Sequence, residues 1–396
     1  MYISERLANV NESATLAMSQ KSRELQAKGH DVINLSIGQP DFHTPDHIKE
    51  AAKKAIDDNY STYTPVAGLP ILKEAICTKF KRDNGLGFNP SQIVVSNGAK
   101  QSIANVILSM VGPGDEVIIP APYWVSYIEI VNLAQATHVI VTAGLDQDFK
   151  ITPEQLEAAI TPRTKAFLFS SPSNPTGSIY TKEELRALAD VFMKNPHVVI
   201  ISDEIYELIT FGGKHESIAQ FDAIKDRVVV VNGVSKGYAM TGWRIGYMAA
   251  PQAIADACVK LQGQYTSGAC AVSQVASVAA LTQTQAPSQK MKEVFLRRRD
   301  LVVKLAREID GLKINVPQGA FYLFPEVDHY FGKSYGAYNI GSAADLANYL
   351  LETVFVATVS GEAFGSPKCL RFSYATSDEQ LVEAMRRIKN ALDKLA

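Results

Sequence analysis

The stretch V-V-V-V-N-G-V-S-K-G-Y-A-M-T-G-W-R-I-G-Y, residues 228–247, places a lysine and an arginine just beyond an apolar run. Residues 228–231 are four consecutive valines, which is typical of a strand that is buried on both faces. Lys236 lies five residues after the last valine, and Arg244 lies eight residues further on. The end of a core strand is therefore expected to carry two positive charges, and this needs a chemical reason.

Other short apolar runs alternate with helical patterns on both sides of this strand. The runs cover residues 93–95, 116–119, 139–141, 166–169, 198–201 and 246–250. Amphipathic spacing predicts helices over 13–29, 46–57, 69–84, 100–110, 153–160, 181–195 and 252–262. Runs that are apolar throughout indicate strands covered on both faces. The sequence therefore predicts an α/β fold with a doubly wound, mostly parallel sheet.

The pattern changes after about residue 285, where a charged helix leads to extended pieces at 312–325, 354–359 and 369–375. The last helix repeats apolar residues at spacings of 4, 3, 4 and 3, at Leu381, Met385, Ile388, Leu392 and Leu395. We predict a large domain over residues 46–284. Residues 1–45 and 285–396 are predicted to form a smaller α+β domain.

Composition excludes several classes of protein. The 396 residues include 39 basic and 41 acidic side chains, so the net charge of −2 gives no field that attracts nucleic acid or an anionic membrane. No run of 18 apolar residues occurs, and the N-terminus has no signal pattern, so no membrane association is expected. The four cysteines form no C-x-x-C pair, and reduced thiols in the cytoplasm are expected. Dinucleotide, P-loop and metal-ligating motifs are missing, so no metal is predicted.

Polar side chains follow the predicted strands, at the edge where ligands of open α/β sheets bind. After the run 93–95, S-N-G-A-K turns through Gly98 into a helix whose free N–H groups form an anion site. After the run 166–169, S-P-S-N-P-T-G forms a rigid turn that projects Asn174. Both stretches also fit ordinary connections, because tight turns favour glycine, asparagine and proline.

Two ionisable residues follow the next two strands. Asp203, in S-D-E-I-Y, lies just past a fully apolar strand, where an unpaired carboxylate costs several kcal/mol, so a cationic partner or several donors are expected. The alternative is an N-cap for the next helix. Lys236 could be a solvated loop lysine. A desolvated amine near another cation, however, has a lowered pKa and becomes a nucleophile for carbonyls.

Together these groups describe one ligand, and pyridoxal phosphate has every feature they require. Its aldehyde would form a Schiff base with Lys236, and its cationic ring nitrogen would face Asp203. Its phenolic oxygen would be bound by Asn174 and Tyr206. Its phosphate would be bound by the amides of Gly98, Ala99 and Lys100, by Ser235, and by the guanidinium fork of Arg244.

The motifs S-P-S-N-P-T-G (171–177), S-D-E-I-Y (202–206), V-S-K-G-Y-A-M-T-G-W-R-I-G-Y (234–247) and L-R-F-S-Y-A (370–375) form a specific set. In their order and spacing the sequence resembles the class I aminotransferases of the fold-type I pyridoxal-phosphate family. The resemblance covers essentially the whole chain. It is strongest to the bacterial aspartate aminotransferase subgroup, which includes enzymes that also accept prephenate.

The resemblance implies further roles. Lys236 is expected to move the proton between the substrate Cα and the cofactor, and Trp124 is expected to stack on the cofactor ring. Tyr63 is expected to reach the phosphate in the neighbouring subunit of a homodimer with shared active sites. Arg371 is expected to bind the substrate α-carboxylate, in a pocket completed by Gly38 and Asn174.

The substrate is expected to be a small amino acid paired with a 2-oxo acid. Distant aspartate aminotransferases bind the distal carboxylate with a partner arginine, but the region Q-G-Q-Y-T-S-G-A-C-A-V-S-Q (262–274) has none. In the bacterial subgroup a lysine of the G-x-K-Q-type turn can serve instead, and Lys100 occupies that position here; Thr15 matches a position associated with prephenate acceptance. Aspartate or glutamate with 2-oxoglutarate or oxaloacetate is therefore expected, and prephenate is a further candidate.

Other activities use the same motifs. An aromatic-amino-acid or alanine-type aminotransferase, or a β-lyase, is the main alternative, since its discriminating groups lie in loops. A non-catalytic pyridoxal-phosphate domain of a transcription regulator is disfavoured because the sequence has neither a helix-turn-helix pattern nor a basic surplus. A dehydrogenase is disfavoured because no dinucleotide fingerprint is found.

Overall fold

The valine run lies in the middle of a seven-stranded sheet in the computed structural model, which describes residues 4–396. In chain order the strands are β1 (Ile33–Asn34), β2 (Ile93–Ser96), β3 (Glu116–Ala121), β4 (Thr137–Thr142), β5 (Thr164–Ser170), β6 (Val199–Asp203), β7 (Val228–Gly233), β8 (Gly246–Ala249), β9 (Tyr322–Leu323), β10 (Ser334–Tyr335), β11 (Tyr338–Asn339), β12 (Val356–Ala357), β13 (Val359–Ser360) and β14 (Leu370–Ser373).

Helices cover both faces of this sheet and make up much of the rest of the described chain. They are α1 (Ala14–Ala27), α2 (Asp46–Asp57), α3 (Pro70–Lys79), α4 (Ala99–Met110), α5 (Ser126–Leu133), α6 (Pro153–Ala159), α7 (Lys182–Lys194), α8 (Gln252–Tyr265), α9 (Ala271–Thr282), α10 (Ala286–Ala306), α11 (Ala343–Val354) and α12 (Asp378–Leu392). None of the helices within residues 4–396 combines the length and apolar character needed to cross a membrane.

The strand order of the large sheet is β2-β8-β7-β6-β5-β3-β4. The pairs from β7 to β4 are all parallel, whereas β8 is antiparallel to both of its neighbours, β7 and β2. The predicted doubly wound, mostly parallel sheet is therefore confirmed. Because β8 returns directly after β7, the connection between them carries Lys236 and Arg244 over the carboxyl edge of the sheet.

Separate hydrophobic clusters fill the two faces of the sheet, as expected for strands that are apolar throughout. A further core is built mainly from residues 33–35 and from the chain after α9, with Ile205, Tyr206 and Ile209 added from the turn after β6. It contains residues of β9 and β14, which pair in a three-stranded sheet of order β13-β14-β9. β1 joins this second core by pairing in parallel with β12. We propose on this basis that residues 46–284 form the large domain and that 1–45 with 285–396 form the small domain.

Several local predictions differ from the structure. The run 139–141 was expected to be buried, but β4 lies at the sheet edge, and its side chains are exposed or half-buried. The predicted helix 69–84 ends as an α-helix at Lys79 and continues as a π-helical turn over Phe80–Asn84. Helices α5, α9 and α11 are not among the predicted helices. Helices α5 and α9 are apolar around most of their circumference and lack a clear amphipathic period.

Candidate active site

A cavity of about 370 Å³ opens beyond the carboxyl ends of β2, β3, β5, β6 and β7. Its wall contains most of the predicted site residues, namely Thr15, Gly38, Ala99, Lys100, Trp124, Asn174, Asp203, Tyr206, Ser235, Lys236, Arg244 and Arg371. Gly98 lies directly behind Arg244. Tyr63 is the exception, because it lies outside the cavity with 98% of its surface exposed. Because the parallel strands end at the same edge of the sheet, residues from distant parts of the sequence meet at one site.

Lys236 projects its amine into the cavity from the β7–β8 connection, three residues after β7 ends. The amine donates to the backbone oxygen of Gly38 at 2.6 Å. Burial, and then the positive charges of Arg371 and Arg244, lower the pKa of Lys236 to about 8. The amine is therefore uncharged at slightly basic pH far more often than an ordinary lysine, and the uncharged amine is the state that a nucleophile or a base requires.

Asp203 is the last residue of β6, and 96% of its surface is buried. Its carboxylate accepts hydrogen bonds from the Tyr127 hydroxyl at 2.7 Å and from the Ile205 amide at 3.2 Å. Burial raises the pKa of Asp203 to about 6. The expected set of donors is present, and the segment after β6 is a turn, so the alternative of an α-helix N-cap is wrong.

Arg371 lies on β14, and 99% of its surface is buried. Its guanidinium donates to the Asn174 side-chain oxygen at 3.0 Å and to the Ser36 backbone oxygen at 2.5 Å, and both acceptors are neutral. Its Nε atom has no hydrogen-bond partner among the described residues. Burial lowers the pKa of Arg371, but an arginine stays charged. A buried cation with spare donors at a cavity wall is suited to binding a carboxylate.

The turn after β2 is shaped to fit Arg244. Gly98 has a φ of +86°, and a Cβ atom at this position would lie 2.3 Å from the Arg244 Nη2 atom. Arg244 donates to the backbone oxygens of Thr241 and Asn97, each at 3.0 Å. The N-terminus of α4 at Ala99 lies beside this guanidinium. Amide donors and a cation therefore converge at one end of the cavity, which is an anion-binding arrangement.

Lys100, Trp124 and Thr15 also line the cavity. The Lys100 amine lies 5.1 Å from the centre of the Trp124 ring. Desolvation, and then the charge of Arg244, lower the pKa of Lys100. This cation is a second candidate partner for an anionic substrate group, next to the apolar face of a tryptophan.

Sequence reasoning missed two tyrosines that are part of the site. The Tyr127 hydroxyl donates a hydrogen bond to Asp203. In the sequence, Tyr127 is marked only by its position three residues after Trp124, whose ring it contacts. The hydroxyls of Tyr322, on β9, and Tyr206 form a 2.8 Å hydrogen bond. The Tyr322 hydroxyl also lies against Gly38, where an added Cβ atom would come within 2.6 Å of it. Both hydrogen bonds join residues at least 76 positions apart, so no local pattern could have indicated them.

The fold and the cavity together define a class of enzyme. A lysine amine with a lowered pKa, a buried carboxylate and an anion-binding turn lie at the carboxyl edge of a doubly wound sheet. These groups are what an enzyme needs to hold a phosphorylated aldehyde cofactor on a lysine.

Comparison with known proteins gives the family. Residues 30–388 match the family described as aminotransferase class I and II, so the chain belongs to it. The chain is 50% identical to an aspartate/prephenate aminotransferase of Cereibacter sphaeroides, over 98% of each protein. It is 46% identical to an aspartate aminotransferase of Geobacillus stearothermophilus, over the whole of both chains. The structure of an aspartate aminotransferase from Rhizobium meliloti superposes with a TM-score of 0.97 at 43% identity, covering both chains completely.

The family is pyridoxal-phosphate-dependent, so the protein is a pyridoxal-phosphate-dependent transaminase of fold type I. The described residues fit this cofactor. Gly98 leaves room for Arg244 beside the start of α4, where a larger residue would displace the guanidinium. Lys236 provides the amine, and Asp203 provides a buried acceptor that faces the same cavity.

Proposed function

We propose that the protein transfers the amino group of aspartate or glutamate to a 2-oxo acid such as 2-oxoglutarate by a ping-pong mechanism, and that prephenate is a further acceptor. The observation that carries this proposal is the position of Arg371 and Lys100 as separate cations on the wall of the Lys236 cavity. One cation suits the α-carboxylate and the other suits a distal carboxylate. The names of the full-length relatives support the same substrates.

We assign the roles of the individual residues as follows. Bound pyridoxal phosphate supplies an aldehyde and an electron-withdrawing ring that acidifies the substrate Cα–H bond. Lys236 would hold the cofactor and, once displaced by substrate, would move the proton from the substrate Cα to the carbon of the cofactor aldehyde group. Asp203 carries a negative charge that favours a protonated ring nitrogen. The phenolic oxygen is bound by Asn174 and Tyr206, the ring face by Trp124, and the phosphate by Gly98, Ala99, Lys100, Ser235 and Arg244.

Orientation of the substrate is assigned to the two cations of the cavity and their neighbours. Arg371 binds the α-carboxylate through its spare donors, with Gly38 and Asn174 completing that pocket. Lys100 and Thr15 also line the cavity and are assigned to the substrate side chain. Holding both carboxylates fixes the Cα–H bond with respect to Lys236, and this alignment is the main contribution of binding energy to the reaction.

The proposed activity is tested by absorbance spectroscopy of the purified holoenzyme. We expect a near-visible cofactor band that shifts to the pyridoxamine form when L-aspartate is added without any 2-oxo acid. The band should return when 2-oxoglutarate is added. A cofactor band that ignores aspartate and glutamate but responds to phenylalanine or alanine would instead support an aromatic or alanine-type aminotransferase. Release of pyruvate, ammonia and a thiol from a sulfur amino acid, without transfer of the amino group, would indicate a β-lyase.

A Lys100→Ala variant tests the distal-carboxylate role in the same assay. Because a hydrogen bond to a charged group contributes about 1.5–3 kcal/mol, we expect the KM for aspartate to rise about 10- to 100-fold. The matched control substrate is L-alanine, which has no distal carboxylate. Its KM should change much less in this variant. Unchanged aspartate kinetics in this variant would remove Lys100 from the substrate site.

We further propose a cytoplasmic homodimer whose active sites are shared between subunits. Tyr63 supports this, because a tyrosine with 98% of its surface exposed lies outside the cavity of its own chain. Further large hydrophobic side chains, Tyr60, Ile71 and Tyr265, are also exposed at 41%, 54% and 65%. A cytoplasmic location is supported by the four free cysteines.

Tyr63→Ala is expected to weaken pyridoxal phosphate binding in the assembled protein, because it removes a hydrogen-bond donor to a charged group. The dissociation constant should rise about 10-fold. Analytical ultracentrifugation should give a dimer for both the variant and the wild type. Tyr335→Ala, at another exposed tyrosine, which lies on β10, is the control and should bind normally. A monomeric wild type with full activity would contradict the shared site.

A further inference from the structure

The turn that follows β6 has two functional faces. Asp203 and Tyr206 line the active-site cavity. Glu204 and Glu207, which alternate with them in the sequence, lie outside the cavity lining and are buried, with 0% and 7% of their surface exposed. Buried carboxylates are costly unless they are paired, so the rear face needs an explanation of its own.

Glu204 is fully occupied by hydrogen bonds on this rear face. One carboxylate oxygen accepts from the Ser202 hydroxyl at 2.9 Å and from the Ser217 hydroxyl at 2.6 Å. The other oxygen lies 3.0 Å from the Nε2 atom of His215. Ser217 and His215 come from one segment, 215–217, which packs behind the turn and is itself buried. Glu204 therefore joins the turn to a fixed neighbour.

The bond between Ser202 and Glu204 spans Asp203. Side chains of an extended strand alternate between faces, so residues 202 and 204 share the face opposite to Asp203. Tying them together, and to segment 215–217, restricts the backbone on both sides of Asp203. The Glu204 amide adds a further restraint by donating to the Val231 oxygen of β7 at 2.8 Å. The direction of the Asp203 carboxylate is thereby set from behind.

Glu207 completes the cluster. It forms an ion pair with Lys79 and accepts from the Asn84 amide at 3.0 Å. The ligand atoms of Glu204, Glu207 and His215 lie within 4.8 Å of one another, a spacing that also suits a metal ion. The Lys79 ammonium is already in contact with Glu207, however, and it repels a second cation. Both oxygens of Glu204 are likewise taken up by Ser202, Ser217 and His215. The cluster is therefore better described as a network of hydrogen bonds and one ion pair than as a metal site.

We propose that Glu204, held by Ser202, His215 and Ser217, is a positioning residue that aims the Asp203 carboxylate at the cofactor. Glu204 does not line the cavity, so it acts through Asp203. This inference rests on the role proposed above for Asp203. It adds a buried support that determines how well that role is performed.

Glu204→Ala in the full-length holoenzyme tests this proposal. A misplacement of a reacting group by about 1 Å can cost about 100-fold, so we expect kcat to fall by about that factor at full cofactor occupancy. The KM for aspartate should stay unchanged, because Arg371 keeps its contacts. The visible circular dichroism of bound pyridoxal phosphate should also change, since it reports the orientation of the cofactor.

The matched control is Glu116→Ala. Glu116 is another buried glutamate of the same sheet, paired with Arg163 and Thr161, but it lies at the start of β3 and therefore at the opposite edge. Both variants should lose thermal stability, whereas only Glu204→Ala should alter kcat and the circular dichroism. If the two variants behave alike in kcat and dichroism, the positioning role is wrong.

Two conservative variants keep the test decisive if Glu204→Ala does not fold. Glu204→Gln keeps an oxygen for both serines and an amide for His215, so it should retain most of kcat; a folded Glu204→Gln with a 100-fold loss would overturn the proposal. Ser202→Ala removes one hydrogen bond and should lower kcat about 5-fold. Normal dichroism and kcat in Ser202→Ala would also overturn it. The dichroism needs only the cofactor, so its result stands even if aspartate is not the substrate.

Discussion

Lys236→Ala is expected to lower turnover of aspartate with 2-oxoglutarate by about 10⁴-fold, the upper range for a positioned proton-transfer group. The loss should be this large because one amine performs two tasks in the proposed mechanism, holding the cofactor and moving the Cα proton. Lys236 lies in the connection that follows β7, where its amine donates a hydrogen bond to the Gly38 carbonyl. Among the described residues, the other lysine that lines the cavity is Lys100, which lies over the Trp124 ring.

Borohydride reduction and peptide mapping measure the first task directly. Wild-type protein should carry the reduced cofactor on the peptide that contains Lys236, and Lys236→Ala should carry none. Lys304→Ala, at an exposed position of α10, serves as the control and should behave like the wild type. A Lys236→Ala variant that keeps the wild-type absorption band and a tenth of the turnover would contradict the assignment.

The pH dependence of cofactor uptake supplies a second measurement of the same lysine. The pKa of Lys236 in the cofactor-free protein is lowered to about 8, mainly by burial. Only the neutral amine attacks an aldehyde, so the uptake rate should be low below that pH, rise through about pH 8 and level off above it. A midpoint near the ordinary lysine value would show that the cavity does not depress this pKa.

Arg371→Ala is expected to lower kcat/KM for aspartate by about 10³-fold, because removing one partner of a buried charge pair costs about 4 kcal/mol. Arg371→Lys should recover only part of this loss. A lysine keeps the charge but lacks the planar fork that meets both carboxylate oxygens. In Arg371→Ala, the Asn174 side-chain oxygen and the Ser36 carbonyl would also lose the hydrogen bonds that Arg371 donates to them.

The cofactor provides an internal control for Arg371. Its dissociation constant should be nearly unchanged in both variants, since Arg371 is assigned to the substrate. Arg387→Lys is the matched structural control, because Arg387 lies on α12, is largely buried and pairs with Asp31 and Glu383. Equal losses of substrate and cofactor affinity in Arg371→Ala would mean that the variant disrupts the site as a whole.

Much of the site could be predicted because it depends on a local rule. Parallel strands end at one edge, so the polar residue that follows each apolar run is a candidate ligand without any knowledge of packing. Asp203, Asn174 and Lys236 were found in this way. Arg371 was not, because β14 is four residues long and its burial depends on the second core; only the family resemblance indicated it.

The features that were missed depend on contacts between distant segments. Nothing in the sequence near Tyr127 indicates that its hydroxyl reaches Asp203, and nothing near His215 indicates that it reaches Glu204. Strand position is equally non-local. Residues 139–141 are as apolar as the core strands, yet β4 is exposed because it is the last strand of the sheet. The antiparallel direction of β8 is likewise set by its pairing and leaves no signal in its own residues.

The cation assigned to the substrate α-carboxylate comes from a different part of the fold than most of the residues assigned to the cofactor, although Tyr206 packs in the second core. Lys236, Asp203 and Arg244 extend from elements of the seven-stranded sheet, whereas Arg371 comes from β14 in the other core. Changes of amino-acid preference could therefore accumulate around β14 and α1 during evolution while the cofactor stays bound. A laboratory selection for new substrates would have the same freedom, and libraries confined to those elements should contain a high proportion of variants that still load pyridoxal phosphate.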